Sequence, residues 1–227
     1  MLSVRIHGDL FSAVLNNVAS FNQPASTPMR HAVDYYLAPN SPWTYLGHAR
    51  FAALLAKTGT SVRVLPIDLA QVFPVSGGLP LPQRAPQRRA YRLMELKRYA
   101  ESLALALVVQ PRFFPVAALA ASQLIVATEQ AVGPEAAMRL TGAMGAAVWA
   151  QERDIADAAT LAALLGECEL DAGLLARSQS TEMQNRYAQN TQAAIEAGVF
   201  GAPSYVVDGE LFWGQDRLDF VERRLNA

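Results

Sequence analysis

The sequence predicts an α/β fold whose two halves are separated by a long all-helical insertion. Three observations carry that expectation. Between 32 and 66 a β-prone run, a helix-like run and a second β-prone run follow one another. From 85 to 198 alanine and leucine recur at helical spacing, with no strand of convincing length among them. Beyond 203 two short β-prone runs flank Asp208-Gly209, a strong signal for a two-residue hairpin, and a last helical pattern follows.

Each element has its own local reason. The aromatic run 32–37 reads as a strand. Ser41 is placed to cap the next helix, and Pro42 suits the first helical position, where a missing N–H has no helical partner anyway. That helix should run to about Lys57 and stop at Thr58-Gly59-Thr60. Residues 61–66 read as a second strand, so the β-α-β start implies a parallel pair with a right-handed crossover. Helices are expected over 85–107, 115–132, 134–149, 157–165 and 180–198, with Pro115 and Pro134 at first-turn positions. Strands 204–207 and 210–213 form the hairpin, and Asp216 should cap a final helix ending near Asn226.

The order β-α-β, helices, β-β-α is that of a thioredoxin-like fold with a large all-helical insertion. Residues 31–69 and 199–227 form the thioredoxin-like domain, and 70–198 form the helical insertion domain. The polar, aperiodic residues 1–30 read as a disordered extension, with Met29 a candidate translation start.

Composition narrows the function classes. The chain has 227 residues, 52% hydrophobic and 17% charged, so it can bury a sizeable core. Its net charge of −1, with no basic tail, argues against nucleic acid or an anionic membrane as partner. No apolar segment approaches the roughly 18 residues of a membrane span. Cys168 is the only cysteine, which excludes an intrachain disulfide and a cysteine metal cluster and fits a reducing, cytoplasmic setting. His31 and His48 make no metal-ligand spacing with any acid, so no metal site is expected.

Four places could carry chemistry. Asn40-Ser41-Pro42-Trp43 lies at a strand-to-helix turn, where thiol-disulfide enzymes of this layout carry Cys-x-x-Cys; here Ser41 and Thr44 hold the two cysteine positions. A serine at a helix N-terminus can simply cap the helix, or can donate a hydrogen bond to an anion held there. Ala202-Pro203 suits a cis X–Pro bond at a strand start, or is an ordinary loop proline; if cis, the Ala202 backbone would pair with a peptide-like ligand as an added strand. Asp216-Arg217 can bind the charged ends of a ligand, or act as a cap and a solvated arginine. Arg84, Arg88 and Arg89 form a basic cluster that could meet an anionic substrate, although at least two are expected on a solvated face. Cys168 reads as a small buried hydrophobe, and Asp34 has no evident partner.

Together, Asn40-Ser41-Pro42-Trp43 with Tyr45-Leu46, Gly198-Val199-Phe200-Gly201-Ala202-Pro203, and Phe212-Trp213-Gly214-Gln215-Asp216-Arg217-Leu218 resemble the 2-hydroxychromene-2-carboxylate isomerase family. That family is grouped with kappa-class glutathione transferases and the DsbA-like thioredoxin fold. The resemblance covers about 31–227. It implies glutathione as cofactor, a small aromatic carboxylate as substrate, a role in aromatic-compound catabolism and a homodimer. It implies that Ser41 is the catalytic serine facing the glutathione sulfur, with Pro42 and Trp43 beside it. Ala202 and Pro203 would hold the peptide backbone, and Asp216 and Arg217 the γ-glutamyl end. The substrate side departs from the family. A common Lys-Ala-Thr-Gly-Asn run is Pro74-Val75-Ser76-Gly77-Gly78 here, so Gly78 stands where an asparagine would contact ligand. Phe-Pro-x-Asn is Phe114-Pro115-Val116-Ala117, and Arg88 replaces a lysine. A glutathione transferase or peroxidase, and a noncatalytic glutathione-binding protein, are the rival readings.

Overall fold

A computed structural model describes residues 32–227; the expectations for 1–30 and for Met29 lie outside the described residues. Strand β1 (Ala32–Leu37) leads through a short turn into α1 (Pro42–Thr58), and β2 (Ser61–Pro66) returns parallel to β1. Helix α1 stops because Gly59 takes a left-handed φ of 64° and its N–H bonds back to Leu55 O. The insertion comprises α2 (Leu69–Ser76), α3 (Pro86–Ser102), α4 (Leu119–Val132), α5 (Pro134–Trp149), α6 (Ala158–Glu167), α7 (Gly173–Ser178) and α8 (Thr181–Glu196). Strands β3 (Ser204–Val207) and β4 (Glu210–Trp213) form the expected hairpin, with Asp208 and Gly209 both at positive φ as that turn requires. Helix α9 (Leu218–Leu225) closes the chain. The sheet order is β2-β1-β3-β4, with β1 antiparallel to β3.

The two-residue period of the strands divides the interior. Val33, Tyr35 and Leu37 point to one face, with Tyr205 and Val207 of β3. There they join Phe51 of α1 and the insertion residues Leu124, Leu140 and Trp149 in one continuous core. Tyr36 and Val206 point to the other face and pack with Val72 of α2 and Ala194 of α8. The edge strand β2 is partly covered, since the Val64 N–H donates to the Glu129 carboxylate of α4 at 2.7 Å. Asp34, unpartnered in the sequence reading, faces Arg63 across the β1–β2 pair and binds it through two hydrogen bonds.

Several boundaries differ from expectation. Helix α3 ends at Ser102 and not near 107, because Ala104 turns left-handed (φ 49°) and Leu105 N bonds back to Ala100 O. Pro115 does not start α4; it follows a cis bond to Phe114, and α4 begins at Leu119. Asp216 does not cap α9. It lies inside a 3-10 turn, Gln215–Arg217, and Arg217 occupies the cap position without a side-chain bond. Helix α2 forms despite Pro74 in its interior, with Asp68 accepting from the Ala70 N–H at its start and Gly77 ending it.

Candidate active site

Both ends of the fold meet at the N-terminus of α1. Leu37 to Ser41 makes a tight turn, closed by Ser41 N–H to Ala38 O at 2.9 Å. Ser41 is buried, and its Oγ accepts from the Thr44 N–H at 3.3 Å, a long bond. The cap reading is therefore met, but by a weak contact that leaves the hydroxyl proton and a lone pair for another group. Asn40 fixes the turn from the other side, donating to Val116 O at 2.8 Å.

Ala202-Pro203 is cis, as expected from its form. The Ala202 N–H and C=O make no hydrogen bond within the chain among the described residues. A strand start with an unpaired donor and acceptor suits a peptide backbone laid beside it. The loop is held by Ser204 Oγ, which donates to Gly201 O at 2.8 Å, and by Gly214 N–H, which donates to Pro203 O at 2.9 Å. Gly201 is needed because the Trp213 indole nitrogen lies 2.5 Å from where a Cβ would stand.

These pieces line one cleft of about 1040 Å³. Ser41, Pro42, Trp43 and Ala202 are on its walls, as are Arg88 and Gly78. Pro203, Asp216 and Arg217 are not among the wall residues. Asp216 and Arg217 instead pair with each other at 2.7 Å, on a turn that Arg50 ties to α1 by donating to Gln215 O at 2.8 Å and to its side-chain oxygen. Ligand clefts typically run about 300–1,000 Å³, and this volume lies just above that range.

The cleft wall at Gly78 accounts for one of the departures noted in the sequence. Gly78 donates its N–H to Phe73 O, and a Cβ there would stand 2.5 Å from the Phe73 ring. An asparagine cannot occupy that position unless the ring moves. Of the basic cluster, Arg84 and Arg88 both line the cleft, and Arg89 does not. Sequence reasoning missed Arg92, one helical turn beyond Arg88, and the i, i+4 spacing from Arg88 was the signal that could have found it. The Arg92 guanidinium lies over Phe114 and Trp149, with centroids at 5.2 and 5.8 Å. Burial, with Arg84 nearby, lowers its pKa to about 10, which still leaves it a cation at neutral pH. Tyr187 also lines the cleft, and burial raises its phenol to about 12, so it remains a neutral donor.

Cys168 is only partly buried, lies outside the cleft walls, and has its thiol pushed up by burial. Among the described residues no group of acids, histidines and cysteines could hold a metal ion, and no helix is long and apolar enough to cross a membrane.

Comparison with known proteins adds to this geometry. The family model for the DSBA-like thioredoxin domain matches residues 32–226. The 2-hydroxychromene-2-carboxylate isomerase of Sphingobium xenophagum is 30% identical over 199 residues, covering 87% of this chain and 99% of its own length. Human (Homo sapiens) glutathione S-transferase kappa 1 is 23% identical over 210 residues, 87% of this chain and 92% of that protein. A solved structure of 2-hydroxychromene-2-carboxylate isomerase superposes with a TM-score of 0.73 at 26% identity, over 86% of this chain and 94% of that one.

Proposed function

For a chain that belongs to the DSBA-like thioredoxin domain family, and within it to the 2-hydroxychromene-2-carboxylate isomerase family, we propose a glutathione-dependent isomerase acting on a small aromatic carboxylate. The observation that carries this reading is the meeting of Ser41, at the positive end of α1, with the unpaired backbone of Ala202 in one cleft.

The residues present fit glutathione. The Ala202 N–H and C=O would hold the cysteinyl backbone, and Trp43 and Pro42 would flank it. Asp216 and Arg217, exposed and paired, would exchange partners with the γ-glutamyl end. When bound, glutathione supplies a thiolate that adds reversibly to an electrophilic carbon and leaves unchanged, which converts one double-bond isomer into the other. The Ser41 hydroxyl donates a hydrogen bond to the sulfur, and the first-turn amides of α1 add their dipole. Both favour the charged form and lower a thiol pKa from its usual value near about 8.5. Arg88 and Arg92 hold the substrate carboxylate by charge and keep the acceptor oriented. A homodimer, a cytoplasmic setting and a place in aromatic-compound catabolism complete the reading, as the resemblance implies.

Replacing Ser41 by alanine tests it. Loss of one donor to a developing anion lowers turnover by about 10²- to 10³-fold, while loss of the cap costs about 1 kcal/mol of stability. Glutathione-dependent turnover of 2-hydroxychromene-2-carboxylate at the wild-type rate in Ser41→Ala would refute the role. A second reading is a kappa-type glutathione transferase, favoured by the similarity to glutathione S-transferase kappa 1. The stoichiometry separates the two, because a transferase consumes one glutathione per turnover and an isomerase consumes none.

A further inference from the structure

We propose that the arginine side of the cleft is a subsite for a dianion, so that the acceptor is an aromatic acid carrying two anionic groups. The inference rests on the proposed function only in placing that acceptor in the same cleft as Ser41.

Three guanidinium groups line this cleft, Arg84, Arg88 and Arg92, against a single carboxylate, Asp68. Both Asp68 oxygens are already engaged, one accepting from Ala70 N–H at 2.9 Å and one from the Gln71 amide at 3.0 Å. No carboxylate lies within ion-pair distance of any of the three arginines among the described residues. The wall therefore keeps an excess of two positive charges, three less one. A monoanion neutralises half of that excess and a dianion all of it.

Geometry agrees with charge. Arg88 and Arg92 sit one turn apart on α3, which separates their backbones by about 6 Å along the axis. Their long side chains can converge on two carboxylates of one aromatic ring. Two of the three head groups are already immobilised. Arg92 lies over Phe114 and Trp149. Arg84 lies 5.7 Å from the Phe73 centroid and donates Nε–H to Leu79 O at 2.8 Å. A guanidinium held in place before binding loses little freedom when it binds. The aromatic lining from Phe73, Phe114 and Trp43 suits a flat ring between the charges.

The test compares phthalate, a dianion, with benzoate, a monoanion of the same ring, by calorimetric titration of the whole protein with and without saturating glutathione. Phthalate is expected to bind at least about tenfold more tightly, since one charge-assisted contact is worth that much. Arg88→Gln should bring phthalate down towards benzoate, and Arg92→Gln should do the same. Arg89→Gln, which is off the wall, should leave the preference unchanged. Arg88 stacks on nothing, so its variant keeps the test valid if the Arg92 variant unfolds. Equal binding of the two acids overturns the proposal, as does a preference that survives Arg88→Gln. A preference abolished by glutathione also overturns it, because the excess charge would then serve the tripeptide's own carboxylates. Glutathione's affinity is titrated separately in the same protein. Its absence beside an intact phthalate preference would remove the cofactor reading and leave the dianion subsite standing.

Discussion

At the scale of single residues, burial separates groups that look alike in the sequence. His48 lies away from the cleft walls. It is buried in α1, its Nε2–H donates to Met138 O at 2.9 Å, and its Nδ1 accepts from the Tyr35 hydroxyl at 3.2 Å. Both ring nitrogens are used by the neutral form. Burial lowers its pKa from 6.5 to about 4, opposed only by the Met138 bond. The unfolded chain therefore binds a proton that the folded chain refuses across this window. The stabilisation is complete above the unfolded pKa of about 6.5 and is lost as pH falls towards about 4, on the order of 3 kcal/mol in all. Urea unfolding followed from pH 7 down to pH 4.5 should show this slope, and His48→Gln should flatten it. An unchanged slope in the variant would assign the acid sensitivity to other groups. Ser41 was visible from its place before Pro42. Arg92 offered only its i, i+4 spacing from Arg88, since a charged residue on a helix most often faces water and only the fold brings Phe114 and Trp149 beneath it.

At the scale of elements, the contact between α1 and the turn after β4 positions the Asp216–Arg217 pair. Gly47 is where they touch. A Cβ there would stand 2.8 Å from the Gln215 Cβ and 3.2 Å from the Tyr205 hydroxyl. Gln215 is itself buried and held by Arg50. Gly47→Ala should push the 215–217 turn away from α1, costing about 1–3 kcal/mol as overpacking does. Thermal unfolding and a glutathione titration of the variant check this together, and the expected result is a lower Tm with weakened glutathione binding. A stable variant with unchanged affinity would show that the turn takes no part in binding. The hairpin was legible, because Asp208-Gly209 has a strong local preference for its turn. The end of α3 was not, because Ala104 carries no signal for a left-handed residue and adopts it only to let Leu105 turn back onto Ala100.

At the scale of the whole molecule, the sheet and the insertion share one core. Val33 and Tyr205 of the sheet belong to the same buried cluster as Leu140, Trp149 and Leu165 of the insertion helices. Removing a side chain on the insertion side should therefore destabilise the sheet as well. Leu140→Ala should cost about 2–5 kcal/mol and leave a single unfolding transition, with far-ultraviolet circular dichroism and tryptophan fluorescence coinciding. Two separated transitions would instead mean that the insertion folds as a unit of its own. The sequence by itself determined the order of the strands and of the longer helices, the Ser41 cap and the hairpin, because each depends on local propensity, period and turn chemistry within a few residues; the short helices α2 and α7 went unread. It also carried the family resemblance, since those motifs are short and contiguous. Only the tertiary structure decided which arginines share a wall, that Phe73 fills the space above Gly78, and that Asp216 and Arg217 lie off the cleft and pair with each other. Those facts depend on contacts between segments far apart in the chain, where packing and charge act through space and leave no mark at any single position.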